Sequence, residues 1–106
     1  MTLELIKVSM YINEADEWHH RPLHLKALEM LREQGLAGGT VIHAVAGFTA
    51  RGGVHNSSLI DAGGRLPLVI EFIDTEAKVQ KVLPLLKEMA PHRLLVQQKV
   101  MADELP

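Results

Sequence analysis

Apolar and polar residues alternate along the start of the chain. Ile6, Val8, Met10 and Ile12 fall on one side, and Leu3, Leu5, Lys7, Ser9 and Tyr11 on the other. That period of two predicts a strand from Thr2 to Ile12. Asn13 to Arg21 is a polar turn rich in carboxylates and histidines. The period then changes: Leu23, Ala27, Met30 and Leu31 share one helical stripe. Pro22 suits the first turn of that helix, and Gly35 suits the left-handed position just past its end, with Leu36 as the apolar residue that follows. Thr40 to Phe48 is β-branched and apolar, which predicts a second strand closed by Gly47. Pro67 to Asp74 reads as a third strand. Asp74 or Thr75 can cap a second helix, with Val79, Val82, Leu83 and Leu86 on its apolar face. Pro84 should bend or break that helix, because it lacks a backbone donor. Leu94 to Met101 is the fourth strand, and Ala102 to Pro106 a loose tail. The 49–66 connection is long for a small domain and points to a functional loop. Its Asp61-Ala62-Gly63-Gly64 segment fits the tip of an extended hairpin.

The order βαββαβ predicts one α+β domain over residues 1–106, a ferredoxin-like sandwich with an antiparallel four-stranded sheet and two helices on one face. Two helices leave the other face of the sheet bare. Four strands about 4.8 Å apart and roughly 17–20 Å long present on the order of 350 Å² on each side. Both parities of the strands are largely apolar: Val69, Glu71 and Ile73 against Leu68, Ile70 and Phe72, and Val41 and Val45 against Ile42, Ala44 and Ala46. A bare apolar surface of that size predicts self-association through packed sheets. The pattern by itself allows a dimer or a trimer.

Composition narrows the partners. A formal net charge of -2 gives no field that would favour nucleic acid or an anionic membrane. No apolar run approaches the roughly 20 residues that span a bilayer, and no signal peptide is recognisable, so a cytoplasmic location is expected. Cysteine is absent, which removes disulfides and thiol chemistry.

Three groups of residues can carry chemistry. Gly47 to His55 is a glycine-rich stretch at a strand end, where backbone N–H groups and the Arg51 guanidinium can meet a phosphate. His20 and His24 stand four apart at a helix start, a spacing that allows shared metal ligation, with Asp16 and Glu17 near in sequence. The competing reading is a solvated turn in which Trp18 seals the edge of the core. Glu71 is a carboxylate in an apolar strand, open to acid–base work if buried or to pairing with Lys7 or Lys99 across the sheet. His43 has the parity of Val41 and Val45 and reads as a sheet-face or interface residue. No nucleophile elbow, Ser-His-Asp signature or Walker motif is present, so no catalytic residue is assigned.

The run Gly35-Leu36-Ala37-Gly38-Gly39-Thr40-Val41, then Gly47-Phe48, Arg51 and Gly52, resembles the PII signalling proteins. Tyr11 to Leu23, Val45-Ala46-Gly47-Phe48, Leu66 to Glu71 and Leu83-Pro84-Leu85-Leu86 resemble the PII-like family known as domain of unknown function 190. The resemblance spans nearly the whole chain. It implies a cytoplasmic homotrimer that is a sensor and not an enzyme. An adenine nucleotide (AMP, ADP or ATP) would bind in clefts between subunits, and the 49–66 loop would meet a regulated partner such as a transporter. Residue by residue, it implies nucleotide contacts from Gly38 and Thr40 of one subunit, with Gly47, Phe48 and Arg51 at the base of the neighbour's loop. The sequence departs from true PII proteins in several places. The Thr40–Gly47 spacing is one residue longer. The lysine-bearing glycine loop before the last strand is replaced by Met89-Ala90-Pro91-His92-Arg93. No tyrosine stands in the 49–66 loop, so the uridylylation switch does not carry over. The basic pair expected after the last strand is also missing, and Lys99, Lys7 or Arg93 is the cation available to substitute. The alternatives are a metal-binding trimer resembling CutA and a small ferredoxin-like isomerase or monooxygenase.

Overall fold

The computed structural model describes residues 2–49, 55–56 and 66–105. Four strands form one sheet: β1 (Leu3–Asn13), β2 (Thr40–His43), β3 (Pro67–Asp74) and β4 (Leu94–Ala102). Their order across the sheet is β2-β3-β1-β4, with every neighbouring pair antiparallel. Helix α1 (Leu23–Glu33) connects β1 to β2, and α2 (Glu76–Met89) connects β3 to β4. This is the predicted ferredoxin-like α+β sandwich.

The core sits between the sheet and the helices. Val8, Met10, Ile12, Ile70 and Phe72 from the sheet meet Leu23, Ala27 and Leu31 of α1 and Val79, Val82 and Leu86 of α2. Both helical stripes read from the sequence are therefore the buried faces. The α1 terminus closes as its residues dictate. Gly35 takes φ +82°, its N–H donates to Arg32 O at 3.0 Å, and Leu36 N–H donates to Leu31 O at 3.1 Å. Those two bonds satisfy carbonyls that the helix end would leave unpaired, and Leu36 packs back on the core. At the other end, Pro22 stands one residue outside the helix, at its N-cap with ψ 125°, and not within its first turn. Its fixed φ and the extended ψ carry the chain out of a short ribbon, Glu17–Trp18 against Arg21–Pro22, turned by His19 and His20 at positive φ.

Other expectations needed correction or narrowing. The second strand was expected to run to Phe48, but β2 ends at His43. Ala44 N–H still donates to Pro67 O, and beyond it the chain leaves the sheet so that Ala46–Gly47 pairs with His55–Asn56 in a separate ribbon. Composition is uniform through this run, so nothing local announces the departure. Of the bend or break expected at Pro84, the break does not occur: α2 is continuous from Glu76 to Met89. Pro84 and Gln80 are both exposed, so the Gln80 carbonyl that loses a partner can turn to water. Thr75 is the N-cap, accepting from Lys78 N–H at 3.4 Å. The tail is not wholly loose, because Leu105 is half-buried against the sheet end.

Neither described helix lies on the second face of the sheet. Register places Lys7, Ser9, Glu71, Val96 and Gln98 near its centre, with Tyr11, Ile42, Ile73 and Leu94 exposed around them. Arg51, Gly52, Gly53 and the Asp61–Gly64 hairpin tip lie outside the described residues.

Candidate functional site

Two hollows open at opposite ends of the uncovered face. The first is lined by Leu5, Gly38, Thr40, Glu71 and Ile73, with Glu104 and Leu105 at its rim, and encloses about 290 Å³. The second is lined by Tyr11, Asn13, Phe48, Thr49, Arg93 and Leu94 and encloses about 220 Å³. Leu5 and Tyr11 are six residues apart on β1, which separates the hollows by about 20 Å. Both lie near the low end of the roughly 300–1,000 Å³ usual for a small-molecule site.

The first hollow is shaped by Asp74. This carboxylate is fully buried at the end of β3 and accepts from Ala37 N–H at 2.8 Å and Thr75 N–H at 2.7 Å. Lys78 Nζ adds a bond to Gly35 O at 3.0 Å. The α1–β2 turn is thus tied to both ends of the β3–α2 junction, and Gly38 and Thr40 are held at the sheet edge. A Cβ at Gly38 would meet nothing within 4 Å, so packing does not require glycine there and the backbone stays open to approach. Thr40 is opposite Glu71 in the register.

The second hollow is shaped by the turn that follows β1. Asn13 Nδ2 donates to Thr49 Oγ1 at 2.9 Å, and Glu14 N–H donates to Leu66 O at 3.0 Å. Glu14 Oε2 lies 2.8 Å from His43 Nε2. Asp16 Oδ2 accepts from Asn13 N–H at 3.0 Å and from Arg93 Nε at 3.3 Å, while Arg93 Nη1 donates to Pro91 O at 3.1 Å. Asp16 and Arg93 are 19% and 17% exposed, so this pair is better shielded from water than the other ion pairs of the described residues. Phe48 is exposed at the hollow's mouth. Gly47 is needed for a close approach: a Cβ there would come within 3.1 Å of the Pro67 ring.

The structure therefore places Gly38 and Thr40 in one hollow, Gly47 and Phe48 at the other, and does not bring the two sets together within a chain. Lys99 belongs to neither. Its register partner is Ile6, which puts it on the helix side of edge strand β4, where it is exposed with Glu4 Oε1 3.9 Å away. The partner of Glu71 is Lys7, at 3.5 Å, with both side chains partly exposed. Lys99, on the opposite face, cannot serve that role. His43 sits at the sheet edge and pairs with Glu14, so its parity with Val41 does not make it a residue of the uncovered face.

The Trp18–Arg21 turn is a clamp on α1. Arg21 grips Glu29 with two bonds, Nη2 to Oε1 at 2.7 Å and Nη1 to Oε2 at 3.3 Å. That hydrogen bonding holds the Glu29 carboxyl below its ordinary range and raises Arg21 above its own. Lys26 Nζ lies over the Trp18 ring, 5.3 Å from its centroid, and Trp18 packs against the core. Among the described residues no group of three or more His, Asp or Glu is placed to hold a metal ion. No described helix is long and apolar enough to cross a membrane.

Comparison with known proteins agrees with this fold. The model of the DUF190 family, described as Uncharacterized ACR, matches residues 5–102. A UPF0166 protein of Aquifex aeolicus is 31% identical over 78 residues, covering 74% of each chain. Among solved structures, CPII from Thiomonas intermedia K12 superposes with a TM-score of 0.68 at 16% identity, covering 98% of this chain and 92% of its own. It is described as a nitrogen regulatory PII-like protein bound to ADP, AMP and bicarbonate. CutA from Synechococcus elongatus PCC7942 superposes with a TM-score of 0.64 at 6% identity, over 96% and 85%. At these identities the two structures establish the shared fold alone.

Proposed function

The chain belongs to the DUF190 family, and from that premise we propose that it is a PII-like sensor, not an enzyme, that binds an adenine nucleotide between subunits of a cytoplasmic homotrimer. The observation that carries this reading is the division of the candidate residues between two hollows at opposite ends of one bare sheet face. Each hollow is half of a site. When copies pack through that face, Gly38 and Thr40 of one subunit meet Gly47, Phe48 and Arg51 of the next. The open backbone at Gly38 and the Thr40 hydroxyl face the base or ribose. Phe48 offers an aromatic surface. Of the three cations that could substitute for the missing basic pair, Lys99, Lys7 and Arg93, Arg93 together with Arg51 supplies the positive charge. ADP or AMP fits the reading as well as ATP does. Bound nucleotide favours one arrangement of the 49–66 loop, which then engages a regulated protein such as a transporter. A ligand shifts that balance only through different affinities for the two arrangements.

Subunit complementation tests the divided site directly. Gly38→Leu fills one half and Phe48→Ala empties the other, so each variant alone loses ADP binding by calorimetry. Co-refolding the two at equal amounts restores binding at about one quarter of the interfaces, because a random trimer pairs two intact halves that often. A mixture as inactive as its parents refutes a site shared between subunits. Zn²⁺ is the control ligand for the CutA-like alternative. A melting temperature raised by Zn²⁺ and unmoved by ADP or AMP replaces the nucleotide with the metal.

A further inference from the structure

Arg93 is the one Arg or Lys among the described residues lining the Tyr11–Phe48 hollow. It is already held there. Asp16 takes its Nε, the Pro91 carbonyl takes its Nη1, and both charged side chains are largely shielded. An anion that enters the hollow meets a guanidinium whose charge is partly neutralised by a carboxylate of the same chain. Asp16 does not need Arg93 to be satisfied, since its Oδ2 also accepts the Asn13 N–H at 3.0 Å. Arg93 can therefore exchange its carboxylate for a phosphate without stranding Asp16, which stays bonded and within reach of water.

We propose that Asp16 is an internal competitor for the ligand's anionic group: it occupies Arg93 in the empty protein and sets how strongly a phosphate must bind to displace it. Asp16 is thus a specificity-determining residue that penalises weak anions, and Arg93 exchanges between two acceptors. The inference rests on the nucleotide reading only for the identity of the anion; the competition holds for any phosphate-bearing ligand. The same turn carries Trp18, the only tryptophan of the chain, two residues beyond Asp16. Asp16 O also accepts the Leu23 N–H at 2.9 Å, so the exchange at Arg93 occurs beside an intrinsic fluorophore.

The test is a double-mutant cycle read by calorimetry and by Trp18 fluorescence. The variants are Asp16→Asn, Arg93→Gln and the pair together, and the probes are pyrophosphate, ADP and adenosine. Asn keeps an oxygen acceptor for the Asn13 N–H, and thermal melts confirm that each variant is folded. Asp16→Glu, which keeps the charge, serves as the second single variant. Removing the competitor should tighten ADP and pyrophosphate about fivefold, as expected when a partly shielded ion pair no longer withholds the binding-competent arginine. Adenosine should be unchanged, Asp16→Glu should stay near wild type, and Asp16→Asn should have no effect once Arg93 is Gln. In the wild type ADP should change Trp18 emission, and Asp16→Asn should show that emission before ligand is added. Weaker ADP binding in Asp16→Asn overturns the proposal, since it would make Asp16 a residue that orients Arg93. A gain that persists in the Arg93→Gln background, or that appears equally for adenosine, also overturns it. If pyrophosphate shows the full cycle while ADP and adenosine bind nowhere, the competition stands and the adenine nucleotide falls.

Discussion

Asp74 connects fold to site more directly than any other described residue, and its removal has a calculable cost. The carboxylate is fully buried and accepts two backbone N–H groups, from Ala37 at 2.8 Å and Thr75 at 2.7 Å. Hydrogen bonds to a charged acceptor contribute about 1.5–3 kcal/mol each, and an amide left unpaired in the interior costs about 1–3 kcal/mol. Against that, Asp74→Ala removes a buried carboxylate whose desolvation opposed folding. The balance is a loss of about 2–4 kcal/mol. For a domain of this length, 1 kcal/mol corresponds to roughly 4–8 °C, so the melting temperature should fall by at least about 8 °C. Asp74→Asn keeps one acceptor and turns an amide donor toward the other N–H, so it should lose about half as much or more. The assay is urea unfolding at fixed protein concentration, since assembly would make apparent stability depend on concentration. Hydrogen exchange adds the site-specific readout. The Ala37 amide should exchange faster in the variant than the global loss of stability accounts for, because the α1–β2 turn has lost its tether. A loss under about 1 kcal/mol, or unaltered protection at Ala37, would refute the idea that Asp74 holds the Gly38–Thr40 hollow in shape.

Two further outcomes follow from the same geometry. Val96 lies opposite Ser9 near the centre of the uncovered face and lines neither hollow, so Val96→Lys should leave the fold intact and give a monomer in sedimentation velocity; an unchanged oligomer would show that assembly uses another surface. The Arg21–Glu29 clamp lowers the Glu29 carboxyl below its unfolded value, so its contribution is present above that unfolded value and is lost as pH falls through the folded one. Melting temperatures of wild type and Glu29→Gln should therefore differ near neutrality and converge in acid, and a gap that widens on acidification would contradict that sign.

What could be read from the sequence was whatever local spacing encodes. The stripes Leu23-Ala27-Met30-Leu31 and Val79-Val82-Leu83-Leu86 are the buried helix faces, and Gly35 with Leu36 closes α1 by bonds within six residues. β3 runs from Pro67 to Asp74 as its flanking residues imply. The reading failed where a long-range partner decides. The end of β2 depends on Ala44 bonding Pro67 across the loop, and nothing within Thr40 to Phe48 records that. Asp74 reads as a possible cap, but its second bond goes to Ala37, 37 positions away. Asp16 and Arg93 are 77 apart. Such pairs leave no periodic trace; each residue alone looks like solvated charge.

β1 explains why binding and assembly belong to one argument. It is an interior strand paired on both sides along nearly its whole length, and its odd positions reach both hollows, Leu5 in one and Tyr11 in the other. Alternation along a strand forces those two side chains onto the same face, the face that no helix covers. If copies pack through that face, as proposed, a site completed by a neighbour needs no extra device, because the same surface carries both hollows at its ends. The same alternation separates Lys99 from them: as the partner of Ile6 it takes the opposite parity, and no rotamer of a lysine on the helix side of the sheet crosses to the other. Resemblance can nominate a cation near the last strand, but parity puts Lys99 on the helix side, away from both hollows, whereas Arg93, which precedes β4, lines the Phe48 hollow.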